Sequence, residues 1–261
     1  KESRFIPDLL ISLKEMPSTM KKLGLIQFFS WFAFFTMWSL STPALTEHVF
    51  HSPKPDVKEF AKLDDKGAVL KNNNEEVVFL STLKEQEYQA KDKVYNNAAD
   101  LVGSATGVYG LSSMVFALLL TFYTMKNKIN RKYIHMASLI LGGLGFIYMF
   151  YATPETLMYS FILIGFSWGS ILSMPYAMLS SSVNPNKMGM MMGLFNMFIV
   201  IPQIIAATGG LNYLYQVIFG SAVINAMLLA GVSLIIGGLA NFLITDKKVI
   251  THQADDTEVL S

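Results

Sequence analysis

Long stretches without a charge limit this chain more than any other feature. A helix needs about 20 mostly apolar residues to cross the hydrocarbon core of a bilayer. Residues 23–46, 101–125, 156–183, 188–208 and 215–245 meet that length without one Asp, Glu, Lys or Arg. Residues 133–152 hold only His135, near one end. Strands of a soluble core would be broken by turns every few residues, and lipid offers open backbone groups no partner. The expected fold is therefore an all-α membrane protein with six transmembrane helices.

Composition agrees and removes whole classes of function. Charged residues are 15% of the chain, against about 25% in soluble domains. The net charge of +1 gives no basic face for nucleic acid. With no cysteine, disulfides, thiolate metal sites and cysteine nucleophiles are excluded. No carboxylate or amine lies inside a span, and no glycine-rich phosphate loop ends in Lys. The reading is of no enzyme, no catalytic or metal-binding residue and no cofactor. His135, beside a basic loop, reads as a boundary residue.

The basic residues orient the bundle. With the N-terminus inside, the cytoplasm receives Lys14, Lys21, Lys22, the cluster at 126–132, Lys187, Lys247 and Lys248. The turns at 153–155 and at Gly209-Gly210 then lie outside and carry no Lys or Arg. Residues 1–22 read as a cytoplasmic loop and 246–261 as a cytoplasmic tail. Residues 47–100 form an extracytoplasmic insert with eight lysines and eleven acids. In it, Asp56 to Glu59 resembles a helix start, and residues 68–70 and 77–80 flank Asn72-Asn73-Asn74 as a small hairpin. Thr82 to Glu85 has capping-box spacing, and the helix it opens can run through Tyr95 into the second span. Such an insert is either a solvated cap or a gate or docking element.

Polar groups in the spans mark candidate sites. Gln27, Trp31, Trp38 and Thr42 share one helical stripe, with Phe34 and Phe35 between. The fourth span adds Trp168 and Tyr176, and the fifth adds Asn196 and Gln203, seven apart on one face. Rings beside amides and hydroxyls suit a sugar, whose C–H face stacks and whose hydroxyls both donate and accept. Each has a plainer reading: Trp31 as an interfacial anchor, Asn196 and Gln203 as bonds between helices. Ser180 to Ser182 read as helix-end hydroxyls bonded to their own backbone. Gly165, Gly169 and Ser173, and separately Gly189 and Gly193, have spacing for close helix contact. Pro43, Pro175 and Pro202 interrupt three spans and permit bends, for alternating access or as packing kinks.

The run Gln27-Phe28-Phe29-Ser30-Trp31-Phe32-Ala33-Phe34-Phe35, followed by Met37-Trp38 and Thr42-Pro43, resembles helix seven of the glycoside–pentoside–hexuronide cation symporters, the sucrose and maltose carriers of the major facilitator superfamily. Gly189, Gly193, Asn196 and Ile199-Val200-Ile201-Pro202-Gln203 resemble helix eleven of that group. Trp168-Gly169 through Ser173-Met174-Pro175-Tyr176-Ala177 resembles helix ten. The match covers residues 27 to about 243, with the insert outside it and similar to that of bacterial members.

The resemblance implies the C-terminal half of a twelve-helix fold, a disaccharide held between the halves, and symport with a cation, usually H+. The Met-less start and the basic lead-in at 5–22 fit a loop joining two halves, so six more spans are expected upstream. The partners implied are a sugar, a coupling cation, the bilayer of a bacterial inner membrane and the N-terminal half. Plant relatives carry acids in helix seven where this chain has Ser39, Ser41 and Thr42, which moves the coupling group to the other half. The alternative is a free-standing six-helix protein acting as a channel, a scaffold or a receptor through the insert.

Overall fold

The computed structural model describes residue 14, residues 16–126 and residues 129–244. Most of the expected lead-in (1–13 and 15), Asn127 and Lys128 of the basic loop, and the tail at 246–261 lie outside the described residues. Among the described residues seven α-helices follow in order: α1 (Ser18–His48), α2 (Thr82–Lys126), α3 (Arg131–Tyr148), α4 (Leu157–Ser180), α5 (Met188–Ile205), α6 (Leu211–Phe219) and α7 (Asn225–Ala240). Five helical stretches are long and apolar enough to cross a membrane: α1, α2, α4, the path from Pro185 through Phe219, and α7. The third expected span is helix α3, which falls short. Its 18 residues rise about 27 Å, and Arg131, Lys132 and His135 sit in its first turns.

The turn expected at Gly209-Gly210 is instead a break within the fifth span. Thr208 (ψ 18°) and Gly209 (φ 95°) leave helical geometry, and the chain then resumes as α6. The turn to the last span comes at Gly220, whose φ of 102° suits a residue without a side chain. Residues 215–219 therefore belong to the fifth span, and α7 begins at Asn225. An apolar pattern that continues across both glycines hides the difference.

Backbones meet closely where small residues face one another. α3 packs on α4 and α7, and α2 packs on α4. A Cβ at Gly165 would lie 2.5 Å from the Tyr109 carbonyl, and one at Gly169 would lie 3.1 Å from that of Ser113. That half of the glycine expectation holds. The other does not: nothing approaches within 4 Å of a Cβ at Gly189 or Gly193, which lie on an exposed face of α5. The tightest junction joins Gly142, Gly143 and Gly145 of α3 to α4 and α7, where Gly231 faces Gly143.

Polar contacts fix the two ends of the bundle. At one end Arg131 donates to the Ala177 carbonyl (2.6 Å) and Lys132 to that of Ile244 (2.7 Å), supplying orphan acceptors at helix ends. At the other, His48 donates through Nε2 to the Phe150 carbonyl (2.9 Å). His135 is not at a boundary but fully buried, with Nδ1 2.7 Å from the Ser170 hydroxyl of α4. The close contact of α3 with α4 encloses it. Ser180, Ser181 and Ser182 bond back to carbonyls of Ala177 and Met178 as expected.

The insert is a small cap on the long α2. Antiparallel bridges pair Ala61 with Phe79, Leu63 with Val69 and Lys71 with Val77, so the expected hairpin gains a third segment. Asn72 turns it, its Oδ1 accepting from the backbone of Asn74 and Glu76. Asp56 caps the short turn Val57–Glu59. The cap of α2 is Ser81, whose hydroxyl accepts from Lys84 N (3.2 Å), rather than Thr82. Glu87 sits between Lys84 (2.9 Å) and Lys91 (3.1 Å), and their hydrogen bonds hold its carboxyl below the ordinary value.

The insert and the α3 start lie at opposite ends of the helices, which makes orientation testable. We expect single cysteines at Asn73 and Asn130 of this cysteine-free chain to differ in intact cells. An impermeant maleimide should label Asn73→Cys and spare Asn130→Cys; the reverse pattern would invert the topology.

Candidate functional site

The three tryptophans of the chain converge although α1 carries two of them and α4 the third. Trp31 and Trp38 lie seven residues apart on one stripe of α1, and Trp168 packs edge-on against both, at 5.5 and 5.4 Å between centroids. Phe34 lies under the group, 4.8 Å from Trp168 and 5.9 Å from Phe146 of α3. Tyr109 of α2 completes it. Its hydroxyl accepts from the Trp38 indole N–H (3.3 Å), and its ring is 6.4 Å from Phe34 and from Trp168. Edge-on pairs of this kind add about 0.5–1.5 kcal/mol each beyond burial.

Below this wall, one helical turn before Trp31, the Gln27 side chain is fully buried. Among the described residues neither its Oε1 nor its Nε2 has a partner, and the buried Trp31 indole nitrogen has none either. Two donors and an acceptor thus lie one turn apart with no bond to any described residue. Leaving such groups unsatisfied costs about 1–3 kcal/mol each, which ordinary packing does not retain without return. Trp38, 43% exposed, opens the wall on its other side.

The remaining candidates lie apart from the rings. Tyr176 of α4 meets Phe195 of α5 at 5.7 Å, and Phe198 covers Gly24, so α5 closes over α1 one turn from Gln27. Asn196 is exposed and Gln203 half-buried on α5. Thr42 is half-buried, and its carbonyl accepts the Thr46 hydroxyl (2.9 Å). Pro43, Pro175 and Pro202 all sit inside unbroken helices. The departure from helical geometry falls six residues after Pro202, at Thr208.

Trp31 packs its ring against both Trp38 and Trp168. Tyr109 is a wall residue that sequence reasoning missed, and Phe34, noted there only as lying on the α1 stripe, is a second. Tyr109 belongs to the α2 segment 101–125, whose polar residues were not singled out, and the α2–α4 contact brings it to Trp168.

Larger hollows occur elsewhere. One of about 570 Å³ at the end that carries the insert is lined by Glu47, His48, His51 and Tyr151, and one of about 560 Å³ lies beneath the insert. They are rims between loops, whereas the tryptophan wall lies among the spans. Among the described residues no group of three or more His, Asp or Glu could hold a metal ion.

A family model described as Major Facilitator Superfamily matches residues 23–258. No curated protein matches the chain.

Proposed function

Because the chain belongs to the Major Facilitator Superfamily, a family of membrane transporters, we propose that it is the C-terminal half of a carrier that moves a sugar with a coupling cation by alternating access. The sugar is a disaccharide of the maltose or sucrose kind, and the cation is H+. The observation that carries this reading is the tryptophan wall with its unsatisfied amide and indole N–H. Aromatic faces stack on the C–H face of a pyranose, while an amide serves hydroxyls as donor and acceptor at once.

The wall lacks charge. An ionic substrate would meet no counter-ion in it, and a neutral polyol needs none. Trp38 and Asn196, open to one side, then face a cavity completed by the other half, where a pathway between repeats would run. In this reading both termini are cytoplasmic and the membrane is a bacterial inner membrane. The coupling group belongs to the other half. His135 is enclosed between α3 and α4, with Arg131 and Lys132 the nearest charges on its own helix and none on α4 or α7.

Uptake of labelled maltose and sucrose into vesicles with an imposed proton gradient tests the reading. Trp38→Ala should raise half-saturation several-fold and Trp38→Phe much less, since a ring remains to stack. Gln203→Ala should weaken affinity several-fold, as loss of a hydrogen bond of about 0.5–1.5 kcal/mol requires. Unchanged half-saturation and maximal rate in Trp38→Ala and Gln203→Ala, at equal surface protein, would remove both from the site.

A further inference from the structure

We propose that α6 is a gate at the outer end of the fifth span, hinged at Thr208–Gly209 and free to swing toward α1. The hinge is visible in the backbone. Thr208 has ψ 18° and Gly209 φ 95°, and the ladder passes from α5 to α6 through a kinked π turn at Ala206–Gly210. The Thr208 hydroxyl donates to the carbonyls of Ile204 (2.9 Å) and Ile205 (3.3 Å), a side-chain bond made at the kink itself. A Cβ at Gly210 would lie 2.5 Å from the Ile205 carbonyl, so the bend is tight and tolerates no side chain there.

The two segments grip different neighbours. α5 packs on α1, while α6 packs on α7. α1 and α7 also pack on each other, so the break lets α6 move against a fixed α1–α7 pair while α5 stays on α1. Hinge motion of this kind needs only a few residues that absorb backbone change.

There is room for the swing. Between α6 and α1 lies an apolar crevice of about 260 Å³, lined by Leu214, Ile218 and Phe219 on one side and Phe28, Phe29 and Phe32 on the other. Its one polar lining residue, Ser233, already donates to the Phe29 carbonyl (2.9 Å). Closing the crevice therefore strips no unpaired polar group. At the far end of α6, Asn225 donates to the carbonyls of Phe219 (2.8 Å) and Gly220 (3.1 Å), tethering the segment to the start of α7. The adjoining residues Val223 and Ile224 form part of the rim of the outer hollow, opposite Tyr151. Movement of α6 is thereby transmitted to the outer mouth.

The test needs no transported solute, so it stands or falls apart from the sugar reading. Spin labels on the cysteine-free chain, reconstituted in lipid, would be placed at Val217→Cys of α6 with Leu101→Cys, and at Val200→Cys of α5 with Leu119→Cys, all at exposed positions. The outer pair should show two distance populations and the inner pair one. Thr208→Val should change the ratio of the outer populations at least twofold and leave the inner pair alone. A single population at the outer pair, a matching change in both pairs, or an unchanged ratio in Thr208→Val would overturn the proposal. Gly209→Ala, strained at its positive φ, provides a second variant should Thr208→Val fold poorly, with the same outcomes deciding.

Discussion

Gly143→Leu should abolish most of the folded yield, while Gly193→Leu should leave it near wild type. At Gly143 an added Cβ would fall 2.6 Å from Ile235 Cγ1 and 2.8 Å from the Gly231 carbonyl oxygen. The second neighbour is backbone, which cannot rotate aside, and the contact is reciprocal: a Cβ at Gly231 would lie 2.8 Å from the Gly143 carbonyl. Forcing a larger residue into packed space costs about 1–3 kcal/mol when side chains can adjust. Here α3 and α7 must separate along their length, so the upper end of that range or more applies. In a membrane such separation forfeits the close packing that holds helices together. Gly193, with nothing within 4 Å, accepts a leucine in open space. Monodisperse yield and melting temperature of the two variants are the measurement. Equal losses in both would show that glycine itself, rather than helix approach, is what each position needs.

Gln27→Leu should lower sugar uptake about tenfold while leaving the melting temperature unchanged or raised. The two halves of that expectation have separate causes. Structurally, a fully buried amide without partners is a cost, and an apolar residue of similar size removes it. If the amide were only a structural element, its replacement would stabilise the bundle and change nothing else. Functionally, a bound hydroxyl that both donates to Oε1 and accepts from Nε2 loses two hydrogen bonds, together about 1–3 kcal/mol, which corresponds to roughly five- to 150-fold in affinity. Uptake kinetics and thermal melting on the same preparation separate the accounts. A more stable protein with unaltered uptake would take Gln27 out of the site.

Much of the site was legible as residue types and little of it as a constellation. The stripe Gln27, Trp31, Trp38 follows from helical periodicity alone, because α1 is straight enough in register for residues four and seven apart to share a face. Trp168 was identifiable as an intramembrane polar ring, but no spacing within α4 says that it meets the α1 stripe. Asn196 and Gln203 form a stripe of their own on α5, and no hydrogen bond among the described residues links it to the tryptophans. Gly189 and Gly193 illustrate the same limit from the other side. Their pattern is that of a contact, yet the face they mark meets no helix of this bundle.

The sequence by itself determined that this chain lies in a membrane as a bundle of helices, and which helix faces carry polar groups. Those properties depend on hydropathy and on the 3.6-residue repeat, both of which are written along the chain. Tertiary structure decided where helices touch and where one breaks. Whether Gly143 or Gly193 is a contact, whether His135 faces loop or core, and whether Gly209-Gly210 ends a span or bends it all depend on what stands opposite. Opposite positions come from segments far apart in sequence, and their choice rests on the packing of whole helix faces, which no local pattern records.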